Sequence, residues 1–289
     1  MSKIRIIKAV TVGSYFDARY NKRAPNYVTL VDTSGLSEDV VMEKARQKLQ
    51  KEHKEIVHII SCEDAITSDY QVASGYDDLL SKNWWEVNII AFDVETTGLS
   101  KQNDRIIEIG LSTFNLGSRK FEDPESYFLN DGVPVNEKIT DLTGISQDMI
   151  DDAPPFAKVA SKLYDKFQKA DLLVAYNRGF DIGFVMSSFE RAGINSLFFP
   201  PCICPMELAI RMDLGTPNNK LKTIAEFLEV DGENSHRAGD DAQLAGDVFL
   251  ALSRRNKFLT RKNCTFRDVL RYFDANRSHI SENYENLSF

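Results

Sequence analysis

Two carboxylates stand one residue apart at the end of an apolar run, in the stretch AFDVETTGLS at positions 91–100. The preceding residues have the composition of a buried strand, and Asp93 and Glu95 continue it. Side chains alternate between the two faces of a strand, so these two acids point the same way and lie side by side. Two unpaired anions at that spacing repel each other unless a cation or a shared proton lies between them. The spacing therefore predicts a site that binds a cation or a proton.

Two later stretches add acids on apolar helix faces. YNRGFDIGF (176–184) leaves an apolar strand and enters a helix on which Asp181 shares a face with apolar residues. SHRAGDDAQLAG (235–246) places Asp241 near a helix start, in line with apolar residues, whereas Asp240 is turned about 100° away. Both Asp181 and Asp241 are therefore expected to point toward the interior.

Each of these residues also has an ordinary structural interpretation. Asp181 could cap a helix, Asp241 could pair with Arg237, and His236 could be a structural histidine. Taken together, however, the four acids form an oxygen-only ligand set of the kind that Mg²⁺ and Mn²⁺ prefer. Two such ions, ~3.5–4 Å apart, can clamp the attacking and leaving oxygens of a phosphoryl displacement, and a neutral histidine can take a proton from water.

Three motifs carry a resemblance to a known family. FDVETTGL (92–99), NRGFD (177–181) and HRAGDD (236–241) resemble, in order and spacing, the three exonuclease motifs of the DEDDh (DnaQ-like) 3′–5′ exonuclease family. That family includes the proofreading ε subunits of bacterial DNA polymerase and ribonuclease T. The similarity covers about 88–255 and is supported by RIIEIG (105–110), LTGIS (142–146), DDAPPF (151–156) and NKLKTIAEFLEV (219–230).

The resemblance implies a ribonuclease H-like fold and a two-metal hydrolysis that releases nucleoside 5′-monophosphates from a 3′ end. Carried over by position, Asp93 would bridge both Mg²⁺ or Mn²⁺ ions, and Glu95 and Asp241 would complete the inner site. Asp181 would hold the second ion, directly or through water. His236 would be the general base.

The resemblance also implies substrate-binding residues. The backbone near Thr96 would receive the terminal 3′-OH, and Leu99 would wedge against the last base. Asn177 and Phe180 would position the scissile phosphate and the terminal nucleotide. Arg178 departs from the family pattern, in which a small residue is common, and its side chain either adds a phosphate contact or faces solvent.

The bulk composition sets the class of protein. The 289 residues, 43% hydrophobic and 27% charged, have an ordinary globular composition, with no apolar stretch near the ~20 residues of a membrane span. The N-terminal residues do not read as a secretory signal. The cysteines are too scattered for a disulfide framework, and zinc binding by Cys202 and Cys204 lacks a second ligand pair. We therefore expect a cytoplasmic protein with no membrane partner.

Charge is distributed unevenly along the chain. The net charge is −8, but residues 1–23 carry +5 and residues 254–277 carry +6, which leaves −17 for residues 24–253 and −2 for residues 278–289. Two solvated basic segments are the ordinary interpretation. An acidic body with basic ends would also suit a polyanion held near bound metal ions.

The pattern of apolar residues predicts the domain organisation. Residues 1–65 read as a small β-α-β domain of unknown role, with a helix that begins near Ser37, and residues 66–87 as a linker. Residues 88–256 alternate strands and helices in the manner of an α/β domain with a mixed sheet flanked by helices. Residues 257–289 form a basic C-terminal extension with an acidic tip.

These features predict a metal-dependent 3′–5′ exonuclease that acts on single-stranded DNA or RNA 3′ ends, with DNA favoured over RNA. One alternative is a nucleic-acid-binding module without catalysis, but all four acids and the histidine are present. Another is an adaptor whose main role lies in residues 1–80, which would bind a replication or repair protein, with nuclease activity secondary. The tail SENYENLSF (281–289) loosely resembles peptides that dock on replication clamps.

Overall fold

A computed structural model describes most of the chain: residues 4–11, 16–17, 22–23, 27–32, 40, 43, 47, 56–64, 81–118, 121–167, 169–194, 200–232 and 235–274. The chain divides into two compact units. One comprises residues 84–264, and the other comprises the described parts of 1–83 and 265–289. The finer boundaries drawn from the sequence, at 65, 87 and 256, stay predictions.

The unit that contains the N-terminal residues is built on a three-stranded sheet. Its strands are β1 (Ile4–Thr11), β4 (Tyr27–Asp32) and β5 (Ile56–Asp64), in the order β4-β1-β5, and β2 (Phe16–Asp17) pairs separately with β3 (Lys22–Arg23). The central strand β1 is antiparallel to both neighbours, so β4 and β5 are parallel to each other. This is the predicted β-α-β connection with one strand inserted between its halves.

The helix predicted between β4 and β5 falls mostly outside the described residues. Val40, Glu43 and Gln47 are helical there, and the Gln47 amide donates a hydrogen bond to Glu43 at 3.1 Å. The predicted N-cap at Ser37 lies outside the described residues.

The larger unit contains a five-stranded mixed sheet. Its strands are β6 (Asn88–Thr96), β7 (Ile106–Asn115), β8 (Glu125–Phe128), β9 (Leu172–Val174) and β10 (Cys202–Ile203), in the order β10-β9-β6-β7-β8. The strands β6, β7 and β8 form an antiparallel meander, whereas β9 runs parallel to β6 and β10 parallel to β9. The predicted mixed sheet is confirmed.

Seven α-helices of this unit are described, and two of them are the helices predicted to carry Asp181 and Asp241. The seven are α1 (Glu137–Thr143), α2 (Gln147–Ile150), α3 (Phe156–Phe167), α4 (Arg178–Arg191), α5 (Pro205–Met212), α6 (Leu221–Leu228) and α7 (Ala238–Arg255). The helices α1 and α2 were not predicted from the sequence. The short helix α1 is bounded by local signals, since the Asn136 side chain accepts the Ile139 N–H at its start and Gly144, at φ +70°, ends it.

The two faces of β6 pack against different helices. Ile90, Phe92 and Val94 join the apolar core formed with α3 and α4. Ala91 points to the other face, toward α7, where a Cβ placed on Gly246 would lie 3.4 Å from the Ala91 Cβ. Because strand side chains alternate, the acids that follow Ala91 at even spacing lie on the α7 face. Asp93 and Glu95 therefore lie on the face of β6 that packs against α7.

The remaining helix, α8 (Phe266–Asp274), belongs to the unit with the N-terminal sheet. Among the helices that the structure describes, none is long and apolar enough to cross a membrane.

Candidate active site

The end of β6 and the beginning of α4 meet at one edge of the sheet. β9 is parallel to β6, with Ala91 paired to Val174, so both strands run toward the same edge. β6 ends with Asp93 and Glu95, and three residues after β9 the chain enters α4. In open α/β sheets this carboxyl edge is where ligands bind. Sheet topology therefore brings the first two motifs together.

Asp181 lies in the first turn of α4 and is only 2% exposed. Its Oδ1 accepts a hydrogen bond from the Val94 N–H at 3.2 Å, which ties the helix directly to the strand between the two β6 acids. The N-cap of α4 is Asn177, so Asp181 is not the helix cap. A buried acid thus lies next to Asp93.

The third motif approaches from the other side of β6. Asp241, in the first turn of α7, is 4% exposed and accepts the Ser235 N–H at 3.1 Å, whereas Asp240 is exposed, as predicted. α7 can lie this close to the sheet because residue 110, the partner of Asp93 on β7, is glycine: a Cβ there would overlap the backbone of α7's first turn.

Three of the predicted residues form a compact group. Ligand atoms of Glu95, His236 and Asp241 all lie within 4.8 Å of one another. His236 is exposed to solvent, so its imidazole is open to water and to a substrate. Asp93 and Asp181 are not part of this group, but they are close enough for their charges to act on its members and on each other.

All four acids have raised pKa values. Burial raises the pKa of Asp93 to about 8, with Asp241 adding to the effect, and burial raises that of Glu95 to about 9, with Asp93 adding. Burial and then the Asp93 charge raise the pKa of Asp181 well above its usual range. Burial raises the pKa of Asp241 to about 6, although the Ser235 N–H opposes the shift.

The raised pKa values of these four acids indicate whether their oxygens could bind a metal ion. Like charges held together in partial burial favour protonation, and a divalent cation at the same place reverses that preference. The donors are carboxylate oxygens, which hard cations prefer, with one imidazole beside them. The residues therefore fit a divalent metal centre.

The four predicted substrate-binding residues surround this edge. Thr96 is buried, and its hydroxyl donates to the Gly98 carbonyl at 2.6 Å. Leu99 is 84% exposed, which is unusual for a leucine. Asn177 has a left-handed backbone at φ +58°, and its buried Oδ1 has no hydrogen-bond partner among the described residues. Phe180 is half-buried, with its ring 4.9 Å from that of Phe184.

Arg178 is buried and follows neither alternative drawn from the sequence. Its Nη2 lies 2.7 Å from Glu207 Oε1, and its Nη1 donates to the Cys202 carbonyl at 2.5 Å. Both side chains of the ion pair are under 10% exposed. The guanidinium therefore joins the start of α4 to β10 and α5 inside the protein, away from solvent.

One buried acid near the site was missed by the sequence analysis. Glu108 on β7 is fully buried and is the register partner of Glu95. Its charge raises the pKa values of Asp93 and Glu95. The available signal was the same one that marked the β6 acids, namely a carboxylate within an otherwise apolar strand (IIEIG).

A mixed sheet flanked by helices, with acids gathered at one strand edge, is a ribonuclease H-like exonuclease fold. A family model described as exonuclease, RNase T, matches residues 90–249, and the chain belongs to this family of DnaQ-like 3′–5′ exonucleases. The recognition made from the three motifs is confirmed. Members of the family use divalent metal ions.

Curated relatives are much longer proteins. The chain is 36% identical over 167 residues to DNA polymerase III PolC-type of Caldanaerobacter subterraneus subsp. tengcongensis, covering 58% of this chain and 12% of the relative. It is 30% identical over 207 residues to the same polymerase of Streptococcus agalactiae, covering 70% of this chain and 14% of the relative. The chain thus matches only about an eighth of the length of these relatives.

Solved structures confirm the fold. The nuclease domain of 3′hExo, a DEDDh family member bound to rAMP, matches with TM-score 0.52 and 19% identity, covering 60% of this chain and 94% of that one. Exonuclease I matches with TM-score 0.50 and 18% identity, covering 67% and 44%. At these identities the likeness concerns the fold alone.

Proposed function

We propose that this protein removes nucleoside 5′-monophosphates from the 3′ end of single-stranded nucleic acid, preferably DNA, with two Mg²⁺ or Mn²⁺ ions. The observation that carries the proposal is the convergence of four carboxylates with raised pKa values beside an exposed histidine. A structural role would not require four acids in one partly buried place, where their mutual repulsion destabilises the fold.

The metal ions would be held by Asp93, Glu95, Asp181 and Asp241. When bound, such ions neutralise phosphate charge, activate water and stabilise the leaving oxygen. The carboxylates would hold the reacting phosphate through these ions, and their burial would keep bulk water from competing for the same oxygens.

His236 would act as the general base. Its imidazole is exposed and lies beside Glu95 and Asp241, so a ring nitrogen can accept a proton from a water that attacks the phosphate. The two neighbouring carboxylates would stabilise the imidazolium that forms.

The exposed edge of the site would bind the end of the strand. Leu99 projects into solvent from the loop between β6 and β7 and would stack against the last base. The Oδ1 of Asn177, which has no hydrogen-bond partner among the described residues, and the ring of Phe180 lie at the start of α4, where they would contact the terminal nucleotide. The backbone around Thr96 would receive the terminal 3′-OH.

DNA is proposed over RNA because the curated relatives are named DNA polymerases. Partnership with a replication or repair protein, through residues 1–80 or the C-terminal tail, is proposed on the same ground. Full-length protein tested for binding to a replicative polymerase and its clamp, with and without residues 281–289, would show whether the tail contributes.

The deciding experiment compares 5′-labelled DNA and RNA oligonucleotides of one sequence, single- and double-stranded, with Mg²⁺, Mn²⁺ or EDTA. We expect a ladder that shortens from the 3′ end only when metal is present, fastest on single-stranded DNA. A substrate with a blocked 3′ end should resist. Cleavage of a circular single strand, or equal rates in EDTA, would contradict the proposal.

A further inference from the structure

Glu108 is a fully buried carboxylate beside the candidate active site with no role in the proposed hydrolysis. Both of its oxygens are fully used. Oε1 accepts hydrogen bonds from Ser126 Oγ at 2.5 Å and Arg237 Nη2 at 2.9 Å, and Oε2 accepts from Arg237 Nε at 3.1 Å and the Ala238 N–H at 3.1 Å. A carboxylate offers about four lone-pair positions, so none remains for a metal ion.

The groups that donate these hydrogen bonds show which part of the fold Glu108 keeps in place. Arg237 is the N-cap residue of α7, and its guanidinium makes a bidentate pair with Glu108. The same guanidinium lies 5.2 Å from the centre of the Phe128 ring on β8. We refer to Glu108, Ser126, Phe128 and Arg237 together as the Glu108 clamp. It fixes the residue that follows His236 against the sheet.

His236 itself has a backbone that needs such support. Its φ is +53°, in the left-handed region that residues other than glycine rarely adopt. A conformation of this kind persists where its surroundings impose it, and such residues gather at functional sites. Here the constraint comes from both sides: the Ser235 N–H bonds to Asp241, and Arg237 with Ala238 bonds to Glu108.

We propose that Glu108 is a positioning residue that acts through Arg237 and the Ala238 N–H to hold His236 in its left-handed conformation next to Glu95 and Asp241. The expected effect of Glu108 on the reaction rate rests on the proposed function of His236 as the base. The expected effect on the conformation of the loop before α7 does not. The clamp predicts that the loop before α7 loosens when residue 108 can no longer accept all four of these hydrogen bonds, whatever the reaction is.

Glu108→Gln is the sharpest probe because it keeps the side-chain shape and replaces one acceptor oxygen with an amide donor. The single amide oxygen can replace only one of the two carboxylate oxygens, so either the contacts of Oε1 with Ser126 and Arg237 Nη2 or the contacts of Oε2 with Arg237 Nε and the Ala238 N–H are lost. Arg237→Lys is a second probe, since lysine keeps the charge but lacks the planar fork. Glu125→Gln on β8 is the matched control, because it breaks an ion pair with Lys166 of α3.

The first measurement is amide hydrogen exchange of the full chain. We expect residues 235–240 to exchange at least about 10-fold faster in Glu108→Gln and Arg237→Lys, with the core strands unchanged and Glu125→Gln like wild type. Unchanged exchange at 235–240 in both clamp variants would overturn the proposal. A uniform rise across the whole domain would also overturn it, since that would indicate global destabilisation.

The second measurement is a double-mutant cycle with His236→Asn, which tolerates a left-handed backbone. We expect Glu108→Gln alone to lower kcat by about 10–100-fold with little change in KM, and to have no further effect in the His236→Asn background. An equal loss in both backgrounds would show that Glu108 does not act through His236. A wild-type rate for His236→Asn alone would instead refute the proposed base, while the exchange experiment would still decide the clamp.

Discussion

Asp93 and Asp240 are residues of the same type, but their positions in the fold give them different surroundings and different expected roles. Asp93 shares its strand edge with Glu95 and lies near Asp241, and its pKa is raised to about 8. Asp240, next to Asp241 in the chain, is exposed and accepts a hydrogen bond from Ser235 Oγ at 3.0 Å. Removal of the first charge should relieve repulsion inside the site and also remove a metal ligand, whereas removal of the second removes no proposed ligand and relieves only a lesser repulsion on Asp241.

We therefore expect Asp93→Asn to lower the nuclease rate by roughly 10³-fold or more, since a metal ion contributes several kcal/mol of transition-state stabilisation. The metal-free variant should unfold at a temperature equal to or above that of the wild type. Rates and thermal unfolding in EDTA are the measurements, with Asp240→Asn as the control at near wild-type rate. Full activity in a folded Asp93→Asn protein would rule out the metal-binding role.

At the scale of single elements, α4 is held by an ion pair in the interior. Arg178 and Glu207 are both nearly fully buried, so neither charge can recover its hydration if the partner is lost. Lys166 and Glu125 form a pair of the same kind at the surface, where they are 24% and 45% exposed. Two pairs of equal charge but different burial provide an internal comparison.

Arg178→Met is expected to lower the free energy of unfolding by about 3–5 kcal/mol, because it leaves Glu207 uncompensated. Lys166→Met should cost at most about 1 kcal/mol. Replacement of both members, Arg178→Met with Glu207→Leu, should recover most of the loss. Denaturant titration measures all three. Equal costs for Arg178→Met and Lys166→Met would show that burial of this pair has no energetic consequence.

The approach of α7 to β7 depends on a glycine. A Cβ at Gly110 would overlap the α7 backbone, whereas a Cβ at Gly239 would lie 3.6 Å from Ser126 Cβ, an ordinary contact. Gly110→Ala should therefore cost at least about 1–3 kcal/mol of stability and displace Asp241. Gly239→Ala should be neutral or stabilise the helix by up to about 1 kcal/mol. Denaturant titration and nuclease rates check both, and a neutral Gly110→Ala would contradict the close packing.

At the scale of the whole molecule, the site couples stability to pH. The pKa values of Asp93 and Glu95 rise from 3.8 and 4.5 to about 8 and 9 in the folded, metal-free protein. As pH rises, the unfolded chain releases these protons first, which favours unfolding. The stability that these groups contribute is therefore fully present below about pH 4 and is lost progressively up to about pH 8–9.

We accordingly expect the unfolding temperature in EDTA to fall between about pH 5 and pH 8.5, and excess Mg²⁺ or Mn²⁺ to raise it most at the alkaline end. A variant with Asp93→Asn and Glu95→Gln should lose both the pH slope and the response to metal. Thermal unfolding over a pH series, with and without metal, is the measurement. Identical slopes in EDTA and in metal would contradict the coupling.

The basic segment, residues 254–277, also acts at the scale of the whole molecule. Its positive charges change the electrostatic potential around an otherwise acidic chain. Arg261 and Lys262 are exposed, and Arg261 stacks over the Phe258 ring at 3.6 Å. Reversal of both to Glu should weaken single-strand binding and flatten its salt dependence by about 0.7 per lost phosphate contact. Cleavage of a dinucleotide should be nearly unchanged.

The control for this charge reversal is the same change at Lys158 and Lys169, exposed lysines in and next to α3. Binding measured over a salt series compares the two variants. An unchanged slope for the Arg261 and Lys262 variant, or an equal change in the control, would show that the basic segment is only a solvated surface.

The sequence by itself determined the fold class of the larger unit and the set of candidate ligands. Acids that interrupt apolar runs, as at Asp93 and Asp181, are local signals, and so is the helical spacing that pointed Asp241 inward and Asp240 outward. Strands β6 to β9 and helices α3 to α7 could be predicted for the same reason, since their apolar periodicity is contained within each segment. The family motifs added their order along the chain.

Only the tertiary structure decided how distant segments meet. Glu108 and Arg237 are 129 residues apart in the chain, and nothing in either segment indicates their pairing. Arg178 looked like a phosphate or solvent contact because its partner, Glu207, lies beyond β10. Burial and charge pairing depend on which strands become neighbours, and that choice is made by the packing of the whole sheet and its helices rather than by the pattern of any one segment.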